Sequence, residues 1–336
     1  MGNTDPSQLH ADAVVIDGVS PLLRKPEYVD WYIEGGVTAA TPTVSLDEPP
    51  GVTLENIGHW HQLIRDDPRL VLATEAAHIE QAKRDGRLAI VMHFQGPGAV
   101  EKTLERIDAY KAAGVGMIQL TYNVKNPLGD GALERTDGGL SLFGLNFVKR
   151  CNAARVIVDC SHTGRQTTLD AIEASERPAV ISHANPFGVY GSRRNIDDDR
   201  LKAVAASGGV IGAVGFPGFL GPEMRPTLAR FIEHIDYMVE VAGIDHVALG
   251  IDYYTGQHPV ADDAAALARY QWSVDCGRWD ADVYPPPPHY FPEGIETPRT
   301  LPNLTAGLNA RGYADDDVRK IIGANWLRVF REVWGA

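Results

Sequence analysis

Cysteine is scarce in this chain of 336 residues: Cys151, Cys160 and Cys276 are the only three. Three thiols make no disulfide framework, and their spacing contains no Cys-x-x-Cys pair of the kind that binds zinc or runs redox chemistry. They read as buried or incidental thiols. Basic residues are outnumbered, 31 Lys and Arg against 44 Asp and Glu, for a formal net charge of −13. That deficit argues against a nucleic-acid partner, which needs basic patches to neutralise phosphates, and against an anionic membrane as partner. No apolar run approaches the ~20 residues of a membrane span. The opening MGNTDPSQLH lacks the basic-then-apolar order of a secretory signal. Pro6 stands where a myristoylation pattern needs Ser or Thr. The expectation is a cytoplasmic protein with a small-molecule partner, and a composition of 44% hydrophobic and 22% charged residues is that of an ordinary globular chain.

At roughly 150 residues per domain, the length permits two domains or one large α/β barrel. Nine short β-rich runs recur, at 13–16, 37–40, 70–73, 88–94, 116–120, 156–159, 179–182, 209–214 and 247–250. Amphipathic segments lie between them, among them 103–113, 141–152, 167–175, 198–207 and 228–242. Strands alternating with helices indicate βα units and a parallel sheet. Nine runs fit an α/β fold of the (β/α)8 TIM-like barrel type with one strand too many. A doubly wound open sheet is the alternative, but it would carry a Gly-rich loop after the first strand, where Asp17-Gly18-Val19-Ser20-Pro21 stands instead. The chain therefore reads as one barrel domain over 1–336, with a long loop at 253–299 and C-terminal helices over 301–334. Trp326, Val329, Phe330 and Val333 fall at helical spacing, a packing stripe.

In such a barrel, function collects where strands end and loops begin. Polar residues stand at those ends: Asp17, Thr41 and Thr43, His93 and Gln95, Tyr122 and Asn123, His162, His183, and Asp252. Loops 122–139 and 253–299, the latter holding Pro285–Pro288, are long enough to be lids or subunit contacts. Two strand ends are nearly alike, Val158-Asp159-Cys160-Ser161-His162 and Ala179-Val180-Ile181-Ser182-His183. Neutral imidazole is the commonest protein ligand for zinc, and two from adjacent strands can converge on one ion; a metal-free, hydrogen-bonded pair is the alternative. His93 and Gln95, two apart on a strand, face one side and are further candidate metal ligands. Asp252 could bind metal, move a proton or anchor an ammonium group. Arg193 and Arg194 could clamp a substrate carboxylate.

These motifs together resemble the membrane (renal) dipeptidase family of zinc hydrolases. The resemblance rests on DCSHTG (159–164), SHANPFGVYGSRRN (182–195), GGVIGAVGFPGFL (208–220), HIDYMVEVAGIDHVALGID (234–252) and RGYADDDVRKIIGANWLRVF (311–330), together with LTYNVKN (120–126) and DGGLSLFG (137–144). It is collinear over nearly the whole chain. It implies a (β/α)8 barrel, two bridged zinc ions, a dipeptide substrate and a homodimer. By that resemblance His162 and His183 hold one zinc, Asp252 handles the catalytic proton, and Arg194, with Asn195 beside it, holds the substrate carboxylate.

The departures from the family pattern are informative. The family's first strand ends in Asp-Gly-His-x-Asp, whose His and Asp hold the other zinc; here Val19 and Pro21 stand at those places. Its bridging glutamate is Gln95 here, and a substrate-contacting histidine is Tyr122. Losing the first ion removes the need for an anionic bridge, so the three losses are mutually consistent. The reading is a metal-dependent hydrolase of a dipeptide or similar small amide with a free carboxylate. It uses one zinc on His162 and His183, with His93, Gln95 or Asp252 as third ligand, Asp252 as general base, and Tyr122 orienting substrate. Two alternatives stay open: a two-zinc enzyme recruiting Asp17 or Glu34, and a binding protein, lyase or isomerase on the same barrel.

Overall fold

The computed structural model describes residues 4–335. Its strands are short and every ladder is parallel. β1 (Ile16–Asp17) pairs with β2 (Ala39–Ala40), and β2 with β5 (Leu88–Ile90). β3 (Thr43–Ser45) pairs with β6 (Met92–Phe94), β6 with β7 (Val115–Gln119), and β7 with β8 (Ile157–Asp159). Bridges from Asp159 to Val180 and from Ile181 to Ile211 carry the sheet across 180–181 to β9 (Ile211–Ala213), which pairs with β10 (Val247–Leu249). Gly18 N–H donates to the Leu249 carbonyl at 3.0 Å and ties β10 to β1.

Taken around the ring, these are the eight positions of a (β/α)8 barrel. β2 and β3 are one strand interrupted at Pro42, which has no N–H for the ladder. β5 and β6 are one strand interrupted at Val91. The surplus ninth run is β4 (Leu70–Leu72), which lies along β5 outside the eight.

The packing stripe read near the C-terminus belongs to the helix Asn325–Trp334. Trp326, Val329, Phe330 and Trp334 pack against one residue from each barrel position: Ile16, Ala39, Ala89, Met117, Ile157, Val180, Val210 and Ala248. Trp326 Nε1 donates to the Leu249 carbonyl at 2.8 Å, and Trp334 Nε1 to the Gly116 carbonyl at 3.1 Å. A Cβ on Gly18 would lie 2.3 Å from the Trp326 ring, so the close approach requires glycine there. With its interior filled from this side, the barrel opens at the C-terminal ends of its strands.

One segment read as loop contains a helix. Asp263–Asp275 is helical inside 253–299, capped by the Asp262 carboxylate, which accepts from Ala265 N–H at 2.8 Å. Among the described residues no helix is long and apolar enough to cross a membrane.

Candidate active site

The two Ser-His strand ends converge on one buried carboxylate, Asp159, at the end of β8. Its Oδ1 accepts from Ser161 N–H and Ser182 N–H, each at 2.9 Å, and its Oδ2 from the Ser182 hydroxyl at 2.6 Å. His93 Nε2 lies 3.2 Å from Oδ2. Burial pushes Asp159 up, but His93 and the Ser182 hydroxyl outweigh it and hold the group at about 2. The near-identity of the two motifs has a physical reason: each serine fastens its strand to the same anion.

The proton positions on the two site histidines follow from their neighbours. The Asn123 amide donates to Tyr284 Oη at 2.9 Å and to the Arg278 carbonyl at 3.0 Å, so its oxygen faces His162. His162 Nδ1 then carries a proton and donates to Asn123 Oδ1 at 2.7 Å. The Ser182 hydroxyl proton is committed to Asp159, so Ser182 Oγ accepts from His183 Nδ1 at 2.8 Å. Both Nε2 atoms are left as lone pairs, and they face each other 2.7 Å apart. Lone pairs at that distance repel unless a cation lies between them. A shared proton would make the pair cationic, which burial and then the Arg194 guanidinium oppose: both lower the two imidazoles well below their ordinary range. Both histidines have the outer hydrogen bonds that fix ligating imidazoles, so the two are candidate donors to a divalent cation.

His162 lines a pocket together with Pro21, Leu46, Gln95, Tyr122, Phe216, Phe219, Asp252, Tyr254, Trp279, Tyr284, Arg24 and Arg269, while His183 and Arg194 are buried outside that lining. The Tyr122 ring stacks on His162, centroids 4.1 Å apart, and its oxygen accepts from Trp279 Nε1 at 3.3 Å. Asp252 is hydrogen-bonded by Gln95; burial pushes it up to about 8 against the opposing pull of Arg194, with Asp17 adding to the rise. Arg194 is buried beside the pair, its Nη2 3.4 Å from the His183 carbonyl, its Nε without a partner, and its guanidinium 5.2 Å from the Phe219 ring. An unpaired buried guanidinium is costly and invites an anion. Asn123, His162 and Asp252 have φ of 63°, 60° and 66°, a left-handed backbone rare outside glycine and concentrated here at three strand ends.

Other residues singled out in the sequence lie apart from the pocket lining. His93 is fully buried beside Asp159. Asn195 donates to the carbonyls of Tyr190 and Phe219, at 2.8 and 2.9 Å, and so shapes the loop carrying Arg194. Arg193 pairs with Asp280 at 2.9 Å. Asp17 is buried and accepts from Ile251 N–H at 3.0 Å, while Glu34 pairs with Arg299 on the outside. Val19 is buried, and Pro21, the exception, is buried and does line the pocket; by the resemblance these are the places of the family's other zinc ligands. Among the described residues no group of three or more His, Cys, Asp or Glu is gathered to hold a metal. The aromatics Tyr254, Trp279 and Tyr284 of the long segment 253–299 were not legible as pocket residues; the density of aromatics there is the signal that could have found them. Trp279 and Tyr284 stack at 4.6 Å and 5°.

Comparison with known proteins agrees with the fold. A family model for membrane dipeptidases (peptidase family M19) matches residues 37–272 and 288–335. An amidohydrolase from Pseudomonas aeruginosa is 34% identical, with a TM-score of 0.88 over 99% of this chain and 100% of that one. A metallopeptidase from Rhodobacter sphaeroides, solved with a phosphinate mimic of the dipeptide L-Ala-D-Ala, shares the fold at 21% identity, with a TM-score of 0.79 over 96% of this chain and 99% of that one. An uncharacterized protein in the pqqA 5′ region of Klebsiella pneumoniae is 29% identical over 298 residues, covering 85% of this chain and 98% of that protein.

Proposed function

The chain belongs to the membrane dipeptidase family of metallohydrolases, and from that premise we propose that it hydrolyses a dipeptide or similar small amide bearing a free carboxylate, with one divalent metal, zinc, per chain. The observation that carries this reading is the pair of facing Nε2 lone pairs of His162 and His183, 2.7 Å apart, beside the Arg194 guanidinium, whose Nε has no partner. His162 and His183 would hold the ion, with Gln95 or Asp252, which line the same pocket as His162, to complete its shell. The chemistry zinc supplies when bound is Lewis acidity toward water and an amide carbonyl.

The remaining roles belong to the chain's own side chains. Arg194 receives the substrate carboxylate and fixes the amide over the histidine pair. Asp252 takes a proton from water at a carboxylate oxygen and returns it to the departing nitrogen. Tyr122, held by Trp279 and stacked on His162, orients the substrate. Asn195 acts through the loop that carries Arg194. Val19, Pro21 and neutral Gln95 speak against a second ion.

The assay is hydrolysis of a panel of dipeptides and N-acyl amino acids with added zinc. Cleavage that drops by at least 10³-fold in His183→Ala is the expected result, since one imidazole does not hold the ion. A binding protein, lyase or isomerase on this barrel is the second reading, favoured by the shortness of the metal-ligand set. It is established instead if ligand binding survives in a variant with both His162 and His183 changed to alanine.

A further inference from the structure

With a carboxylate drawn toward Arg194, which is buried outside the pocket lining, and the scissile amide at His162, which is in it, the acyl side of a substrate falls to the other lining residues. That wall is Pro21, Leu46, Gln95, Tyr254 and Trp279. It is apolar and aromatic, with one neutral amide. The charged groups facing the pocket are Arg24, Arg269 and Asp252, two cations and one carboxyl. Glu48, the partner of Arg24 at 2.8 Å, is outside the lining. Asp252 is already hydrogen-bonded by Gln95 and stands in the field of Arg194.

A free dipeptide brings an α-ammonium group to this wall. There it would leave water to meet a single carboxyl, Asp252, already hydrogen-bonded by Gln95, close to two guanidiniums and to whatever cation the histidines hold. Desolvating an unpaired charge is among the largest penalties in recognition. A blocked nitrogen or a plain acyl chain meets no such penalty and gains contact with the Tyr254 and Trp279 rings.

Resting on the amide-hydrolase reading above, we infer that the pocket selects N-acyl α-amino acids with an apolar or aromatic acyl group, and discriminates against dipeptides with a free amino terminus. The reaction is hydrolytic and balances with water alone. The acyl C–N bond breaks, the water oxygen bonds the acyl carbon, and one water proton goes to the leaving nitrogen. The products are a carboxylic acid and a free amino acid.

The test uses a matched pair, phenylalanyl-alanine and 3-phenylpropanoyl-alanine, which differ only by the ammonium group. Binding is measured by calorimetry on the full chain with ketomethylene isosteres of both, in which CH2 replaces the scissile NH so that neither is cleaved. The desamino compound is expected to bind at least tenfold more tightly. A preference of threefold or less, or no binding of either, overturns the inference. Gln95→Glu places an anion on the acyl wall and should cut the preference at least fivefold; an unchanged preference removes Gln95 from that wall and overturns the inference as argued. Hydrolysis of the parent amides is scored separately. If the preference is present and neither amide is cleaved, the specificity stands and the hydrolase reading fails. If both amides are cleaved and the preference is absent, the hydrolase reading stands and the specificity fails.

Discussion

A single carboxylate, Asp159, sets the tautomer of one of the two facing histidines, His183, at one remove. It fixes Ser182 directly and through it the Nδ1 proton of His183. Asp159→Asn can still accept at one oxygen but offers no anion to His93 or Ser182. Zinc affinity should fall by about 10- to 100-fold, the usual cost of losing an outer partner of a ligating histidine. Competition with a chelating dye measures it, and an unchanged affinity would detach Asp159 from the site. Asp17 makes a different case. Burial raises it to about 7, against hydrogen bonds from Ile251 and Ser20. The folded chain thus holds this proton more tightly than the unfolded chain. The resulting stability is complete below about pH 4, declines as pH rises toward 7, and is gone above it. Asp17→Asn removes that titration. Urea unfolding should find the variant more stable relative to the parent at pH 8 than at pH 5, by about 1–3 kcal/mol after allowance for relaxation around the group. A difference independent of pH would contradict the assignment. At this scale the sequence was informative where a residue type has few uses. Paired Ser-His strand ends, Arg194 and Asp252 are all at the site, whereas His93 and Asn195 share those chemistries and serve beneath it.

Among the elements, the strands were legible because short β-branched runs alternate with amphipathic helices, and β4 was the surplus run because it lies along β5 with the same apolar character. The helix Asp263–Asp275 was hidden because it lies inside a segment rich in proline and aromatics. Its weak amphipathic pattern does not stand out from its surroundings. The role of the lid depends on side chains that meet only in three dimensions: Trp279 touches Tyr122 and Tyr284, and Tyr254 hydrogen-bonds His289, whose other nitrogen donates to the Pro285 carbonyl at 2.7 Å. Trp279→Ala removes the aromatic centre of this segment, which packs at the edge of the same buried cluster as the barrel. KM for a cleaved substrate should rise by tenfold or more, with the thermal midpoint lowered by only a few degrees. A large loss of stability with KM unchanged would make Trp279 a core residue and not a lid residue.

Over the whole molecule, the acidic surplus and the site have little to do with each other. Asp198 and Asp199, and Asp315, Asp316 and Asp317, stand in the first turns of surface helices, where the helix dipole favours them. The pocket is supplied with arginines instead. The net charge of −13 is thus a property of the outside and not of the metal site. The barrel closes, Trp326 and Trp334 fill it, and Asp159 ties the rim together. The departures that the resemblance marks are Val19, Pro21, Gln95 and Tyr122, of which the last three line the pocket. The central claim is that this barrel has kept one metal position and lost the other. Zinc titration of the full chain with elemental analysis tests it most directly. One equivalent should bind at saturation and vanish when His162 and His183 are both changed to alanine. Two equivalents at saturation, or no saturable zinc at all, would contradict it.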